Sequence, residues 1–294
     1  MYKIGIDLGG TKIEGIVIDE HANEIHRKRI PNGKEKGYEN VVNNIAGLYK
    51  ELVEDINGAE HTLGLGTPGS ISKTSGLLKN SNIQCMNNLP FVEDLKKACG
   101  HNIIVENDAN CFALAEALIG AGKGKEIVFG VIIGTGCGGG LVINGKVISG
   151  MRENCGEWGH STINYNGTPW TSVNGAVEAY ISGTGIQHQY KAKWGEDLPS
   201  ADIVYNYRKG EDKAVFTMNE FFKHFGISIG NLIKFLDPDV IVLGGGVSNV
   251  DEVYTKGVEQ VKNHVFNNDL YTPIVKNQYG DSAGVFGAAL IGVK

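Results

Sequence analysis

Three observations predict an α/β fold with mixed sheets, built as two related lobes. A strand–turn–strand is written twice, as Lys3–Lys12 running into Ile13–Asp19 and as Phe129–Gly140 running into Leu141–Asn144. In each half the later apolar strands alternate with helix-period segments, the pattern of layered α/β domains. Each half reads β-β-β-α-β-α, with a Gly- and Lys-rich link at Gly120–Lys125 between them. The predicted lobes are 1–120 and 121–294, with the last helix, 283–294, able to pack back on the first.

The elements follow in order. Strands are expected at Tyr2–Leu8, Lys12–Asp19 and Glu24–Ile30. Val41, Val42, Ile45, Leu48, Tyr49, Leu52, Val53 and Ile56 keep the i, i+3, i+4 rhythm of a helix over Tyr38–Ile56. Strand Thr62–Leu65 ends in Gly66-Thr-Pro-Gly-Ser70, a loop signal. A short helix near Val92–Ala98 precedes strand Asn102–Val105, and Asn107-Asp-Ala-Asn110 opens a helix to Ile119 with natural cap residues. Beyond the second strand–turn–strand, helices are expected at Gly175–Ser182, Gly185–Tyr190, Ala201–Tyr207 and Lys213–Leu236. Strand Val240–Leu243 runs into Gly244-Gly-Gly246 and a helix over Val250–Phe266, followed by strand Pro273–Val275 and helix Ala283–Gly292.

Composition narrows the function classes. The 294 residues are 41% hydrophobic, enough for real cores, and the formal charge of −6 speaks against a nucleic-acid or anionic-membrane partner. No apolar run approaches the roughly 20 residues that span a bilayer. Met1-Tyr-Lys leads straight into a strand without a cationic, apolar leader. Five cysteines, Cys85, Cys99, Cys111, Cys137 and Cys155, are dispersed without CxxC spacing and read as reduced thiols of a cytoplasmic protein.

The two Gly-rich turns leave backbone N–H groups unshielded, and adjacent N–H groups form a concavity suited to phosphate oxygens. One such turn is usually a plain hairpin. Two, one in each half, point to a nucleotide held between related lobes. Asp7 sits where a carboxylate can hold hydrated Mg²⁺ against phosphates, or where an Asp merely stabilises a turn. Lys12 either neutralises phosphate charge or is an exposed strand lysine. Gly244-Gly-Gly246, between strand and helix, either admits a phosphate or flat ring or makes a tight turn. Asp108, at a strand's carboxyl end, is the candidate general base for a substrate hydroxyl, with a plain N-cap as the alternative. Asn107 and Asn110 add the hydrogen-bonding groups that polyols need. Glu157 and His160, three apart, together with Glu178 suit paired sugar hydroxyls. No second His or Cys follows His160 at zinc-ligand spacing.

These motifs together resemble the ROK family of sugar kinases, within the actin/hexokinase/Hsp70-type superfamily. The matching pieces are Ile4–Lys12, Gly66–Gly69, Asn107–Asn110, Gly134–Gly136 with Gly138–Gly140, Gly156–His160, and Asp237–Gly246, in family order along nearly the whole chain. The resemblance implies two ribonuclease-H-like (actin-like ATPase) lobes with an ATP and sugar cleft between them. It implies ATP and Mg²⁺ as cofactors, with Asp7, Gly9, Gly10, Thr11, Lys12, Gly134, Thr135, Gly136, Gly244, Gly245 and Gly246 toward the nucleotide. Asp7 is the candidate Mg²⁺ residue and Asp108 the base. Gly69, Asn82, Asn107, Glu157, His160 and Glu178 would hold the sugar. Homodimers are common in the family.

Pro68–Ser72, Lys79–Asn82, Gly156–His160 and Gly280–Gly284 lean toward bacterial fructokinases and mannokinases, whereas Asn107–Ala117 resembles N-acetylglucosamine kinases equally well. The expected reaction is γ-phosphate transfer to the 6-hydroxyl of fructose, with mannose as a further substrate. The alternatives are an N-acetylhexosamine kinase, a glucokinase, or a non-catalytic sugar- and ATP-binding relative. A repressor of the family would carry a helix-turn-helix ahead of the phosphate turn, and here that turn begins by Asp7. One departure stands out: many members bind zinc through the motif CxCGxxGCxE, and this chain has Pro169, Thr171 and Ala176 in place of the cysteines, so no zinc is expected. The 161–174 loop would then depend on packing, with Trp158 and Trp170 as its anchors.

Overall fold

The computed structural model describes residues 1–167, 169–170, 173–266 and 269–292. The chain forms two compact units: Met1–Gly124 with Gly140–Cys155 and Asp281–Lys294, and Lys125–Gly139 with Gly156–Gly280.

In the first unit the strands are β1 (Tyr2–Leu8), β2 (Lys12–Ile18), β3 (Glu24–Pro31) and β4 (His61–Thr67), with α1 (Tyr38–Asp55) between the last two. A two-residue hairpin, β5 (Ser70–Ile71) and β6 (Leu78–Lys79), precedes α2 (Phe91–Cys99), β7 (Ile104–Asn107) and α3 (Asp108–Leu118). The sheet order is β3-β2-β1-β4-β7. β1–β2 and β2–β3 are antiparallel, while β1–β4 and β4–β7 are parallel. Ile4, Ile6, Leu8, Ile13 and Val17 pack with the inner face of α1, whose Val41, Ile45, Leu48 and Leu52 are buried. Each fully buried aliphatic side chain contributes about 1.5–3 kcal/mol.

The same sheet accepts a helix from the end of the chain because its strands carry glycine where that helix lies. Gly5 of β1 pairs in register with Gly64 of β4. A Cβ on Gly5 would fall 2.3 Å from Val285 O, and one on Gly64 would fall 2.0 Å from Ala288 O, so the backbone of a small-residue helix (Ala283–Ile291) rests directly on this pair. Gly64→Ala must push that backbone away and is expected to cost about 1–3 kcal/mol, an overpacking penalty. A urea melt of the variant checks this.

The second unit contains β8 (Ile127–Ile133), β9 (Cys137–Ile143), whose far end with β10 (Lys146–Val147) belongs to the first unit, and a small ribbon of β11 (Pro169–Trp170) and β12 (Val173–Asn174). Then come α4 (Val177–Ile181), α5 (Gly183–Trp194), α6 (Ser200–Arg208), α7 (Asp212–Leu236), β13 (Val240–Gly244), α8 (Lys256–Lys262), β14 (Ile274–Lys276) and the closing α9 (Ala283–Ile291) of the first unit. The second sheet runs β10-β9-β8-β13-β14, with β13 parallel to both β8 and β14. Glu211 caps α7 by accepting from Lys213 N and Ala214 N, and Asp237 ends it in the left-handed region at φ 43°. Gly226 and Gly230 on α7 let α8 and the turn that follows it approach closely, since a Cβ there would meet Gln260 of α8 at 2.7 Å and His264 just beyond it at 2.8 Å.

Beyond shifted element ends and the short β5–β6, β10 and β11–β12 strands that the sequence reading did not contain, the structure differs from that reading as follows. The helix expected over Val250–Phe266 is broken: 3-10 turns at Gly246–Asn249 and Asp251–Tyr254 come first, because Val250 is extended (φ −88°, ψ 100°), and α8 covers only Lys256–Lys262. Residues 140–155 cluster with the first unit, although they lie past the Gly120–Lys125 link. The final helix stops at Ile291, and 293–294 of the expected 283–294 lie outside the described residues. Among the described residues no helix is long and apolar enough to cross a membrane.

Candidate functional site

The first Gly turn is closed by Gly9 N donating to Lys12 O at 2.9 Å. A residue the sequence reading missed holds it from behind. The amide of buried Asn32 donates to Gly9 O at 2.9 Å, and its backbone N–H donates to Thr11 O at 3.1 Å. Asn44 in turn donates to Asn32 O at 3.1 Å. Thr11 and Lys12 are exposed, and a Cβ on Gly10 would meet nothing within 4 Å, so the crest of the turn is open to a ligand.

Asp7, at the end of β1, stands in register with Glu14 on β2 and Gly66 on β4. Its carboxyl pKa is pushed up to about 7, first by burial and then by the charges of Asp108 and Glu14, with Lys12 opposing. Glu14 is itself buried and pairs with Arg27 Nη1 and Arg29 Nε, each at 2.9 Å. Two glycines flank the Asp7 carboxylate: a Cβ on Gly66 would sit 3.2 Å from Oδ1, and one on Gly284 would sit 3.2 Å from Oδ2. Buried negative charge of this kind, on hard oxygen donors, fits a small divalent cation such as Mg²⁺.

Asp108 is the first residue of α3, and its Oδ1 accepts from Ala109 N at 2.8 Å. Asn107 is the N-cap. Its Oδ1 accepts from Ala109 N at 2.9 Å and Asn110 N at 3.3 Å, while its Nδ2 donates to Gly69 O at 3.0 Å. Asn107 therefore joins α3 to the Gly69 loop and keeps one N–H for a ligand. Gly69 is required by its backbone, with φ 84° and a Cβ position only 2.3 Å from Lys79 O. Asn82 is exposed in the loop after β6. Glu106 was also missed: it accepts from Asn107 N and Asn110 Nδ2 at 2.9 Å and from Ser149 Oγ at 3.0 Å.

In the second unit, the Gly134–Gly136 turn is closed by Gly134 N donating to Gly136 O at 2.9 Å. The start of α5 holds it: Gly183 N donates to Gly134 O at 2.7 Å, and Thr184 Oγ1 donates to Thr135 O. Glu178 sits beneath. Its Oε2 accepts from Cys137 N at 2.8 Å and its Oε1 from the Trp170 indole at 2.8 Å, and a Cβ on Gly136 would fall 2.7 Å from Oε2. Glu178 thus ties the turn to the β11–β12 ribbon while keeping further lone pairs.

Gly134 and Thr135 line a cavity of about 690 Å³ together with Thr184, Gln187, Gly246 and Asn249. That volume lies within the usual small-molecule and cofactor range of about 300–1,000 Å³. Gly244 ends β13, and Gly245 (φ 78°) brings its backbone against β8, where a Cβ would lie 2.5 Å from Ile133 O. Gly246 is open on the cavity side, with nothing within 4 Å of its Cβ position.

Glu157 precedes and His160 ends a 3-10 turn, Trp158–His160, with His160 Nε2 at 3.7 Å from Glu157 Oε2, and both side chains remain partly exposed. The turn is fixed by Trp158, which donates to Gly138 O at 2.9 Å, and by Gly159, whose missing Cβ would clash with Cys137 O. Of the three residues that stand where the zinc motif has cysteines, Pro169 lies in β11, Ala176 is buried, and Thr171 lies outside the described residues. Among the described residues no group of three or more His, Cys, Asp or Glu side chains is arranged to hold a metal ion.

Comparison with known proteins places this arrangement. The model of the ROK family matches residues 3–294. The chain is 38% identical to an N-acetyl-D-glucosamine kinase of Haemophilus influenzae over 98% of both chains. It is 36% identical to one from Pasteurella multocida, again over 98% of both. Among solved structures, a ROK hexokinase from Thermus thermophilus superposes with a TM-score of 0.90 at 30% identity, over 99% of this chain and 97% of that one. With its family match and its relatives both running nearly end to end, the chain belongs to the ROK family.

Proposed function

We propose that this protein is an ATP-dependent sugar kinase that transfers the γ-phosphate to the 6-hydroxyl of N-acetyl-D-glucosamine. The full-length relatives named N-acetyl-D-glucosamine kinase support the sugar. The fructose expected from the sequence has no such support. The observation that carries the chemistry is the carboxylate pair of the first unit: Asp108 at the start of α3, its charge acting on buried Asp7.

In the proposed reaction Asp108 accepts the proton of the sugar hydroxyl as that oxygen attacks the γ-phosphorus. The new O–P bond forms as the bond to the β-phosphate oxygen breaks, and ADP leaves. Asp7 would hold Mg²⁺, which when bound neutralises phosphate charge. With the Gly9 and Gly134 N–H groups closing the two turns, backbone N–H groups of Gly10–Lys12 and Thr135–Gly136 bind phosphate oxygens, and Gly244–Gly246 admit the adenosine to the 690 Å³ cavity. Gly69 through its backbone, with Asn82, Asn107, Glu157, His160 and Glu178, holds the sugar hydroxyls.

The test is a coupled ADP-release assay with Mg·ATP against N-acetylglucosamine, N-acetylmannosamine, glucose, mannose and fructose. The highest kcat/KM is expected on N-acetylglucosamine. A higher value on fructose would restore the earlier expectation, and silence on every sugar would remove the kinase reading.

A further inference from the structure

Beside Asn107 lies a second, smaller recess of about 210 Å³, built wholly within the first unit. Its walls are unusual for a surface dent. Glu106 forms one side, with both oxygens engaged by Asn107, Asn110 and Ser149. Lys73 closes the rim, its Nζ 2.6 Å from Glu153 and donating to Gly150 O at 2.8 Å. Glu153 is held at φ 58°, a left-handed conformation that costs a non-glycine residue energy and persists only where its surroundings enforce it. Its side chain is nonetheless only 14% exposed, drawn down by the lysine. Lys79 ties the same segment a second time, donating to Arg152 O at 3.0 Å. The β5–β6 hairpin and the 149–155 strap are thus laced together over a chamber next to the residue that precedes Asp108.

The lining is mixed. The Ser70 hydroxyl makes no hydrogen bond to any described residue, and Asn107 keeps one N–H. Ile71 and Val105 supply apolar surface. The acidic and basic groups are already spent on each other or on backbone and hydroxyl partners, so the recess suits a neutral group rather than an ion.

We propose that this recess is the acetamido subsite, taking the N-acetyl substituent of the sugar, with Ser70 and the Lys73–Glu153 pair as specificity-determining residues. The acetamido carbonyl accepts from Ser70 Oγ and the remaining Asn107 N–H, and its methyl rests on Ile71 and Val105. A hexose with a plain 2-hydroxyl leaves the recess to water. This inference rests on the substrate reading above and adds residues that reading does not use.

The experiment is steady-state kinetics on N-acetylglucosamine for the wild type, Ser70→Val and Lys73→Met, with glucose as a competing ligand. Ser70→Val removes the donor and fills space on a strand that tolerates valine. It is expected to raise the N-acetylglucosamine KM about tenfold, which is about 1.4 kcal/mol. Its kcat should stay within about twofold and its glucose Ki should not change, the mark of lost substrate binding rather than lost chemistry. Lys73→Met, which unpins Glu153, is expected to raise the same KM about threefold. Should Ser70→Val fail to fold, Ser70→Ala supplies the same comparison. Unchanged KM in the variants, or an equal weakening of glucose, overturns the subsite and leaves the kinase reading standing. A wild type that does not act on N-acetylglucosamine overturns both.

Discussion

Asp108→Asn is expected to lower kcat by about 10²–10⁴-fold, the usual contribution of a positioned base, while N-acetylglucosamine still binds. The substitution separates chemistry from structure. Asp108 Oδ1 accepts from Ala109 N, and an asparagine carbonyl can accept the same bond. Asn107 remains the N-cap of α3 and still holds Gly69. Stability should therefore change by less than about 1 kcal/mol, the size of a cap effect. Calorimetric sugar binding and a thermal melt accompany the rate measurement. A kcat near that of the wild type removes Asp108 from the role of base.

Asp7→Asn is expected to abolish turnover and yet stabilise the protein above neutral pH when no divalent cation is present. The sign follows from the raised pKa. Folding lifts the Asp7 carboxyl from 3.8 to about 7, chiefly by burial and then by the neighbouring Asp108 and Glu14. The folded state thus holds this proton more tightly than the unfolded chain. The resulting contribution to stability is complete below pH 4 and is lost as pH rises through 7. At pH 8 the ionised wild type forgoes up to roughly 4 kcal/mol relative to a neutral side chain at this position. Asparagine carries no such charge, so the variant's Tm advantage should grow between pH 5 and pH 8. Mg²⁺ should raise the wild-type Tm at pH 8 and leave that of Asp7→Asn unmoved. A Tm difference that is constant across this range would contradict the account of Asp7.

Much of the fold was legible because it rests on local periodicity. The two hairpins, the helix at Tyr38–Asp55 and the long helix ending at Leu236 all follow from apolar spacing and Gly-rich punctuation. The broken helix after Gly246 was not, because nothing in the residue pattern marks Val250 as extended. The candidate site was readable where polar residues and turn formers sit together in one short motif, as in the Gly turn at Asp7–Lys12 and the helix start at Asn107–Asp108, both of which the structure forms as a turn and a helix N-terminus.

The supports of the site were hidden, since they join residues far apart in the chain. Asn32 reaches the Gly9 carbonyl across the second strand, Ser149 reaches Glu106, and Arg27 and Arg29 neutralise Glu14. Each is an ordinary polar residue whose partner only the folded chain supplies. Glu178 shows the same limit from the other side. Its presence was readable, but its bonds to Cys137 N and Trp170, which tie a turn to a ribbon, were not. The sugar was least legible of all. Acetylated and plain hexoses differ in one substituent, and the recess proposed to receive it is lined by Ser70, Lys73 and Glu153, which form no recognisable motif.

The most direct test of the central claim is ³¹P and ¹H NMR of the products formed by the wild-type protein from Mg·ATP and N-acetylglucosamine. The account predicts stoichiometric ADP and a phosphomonoester whose phosphorus couples to the two protons on C6. ATP left intact, ADP with inorganic phosphate alone, or a phosphate on any other oxygen of the sugar would contradict it.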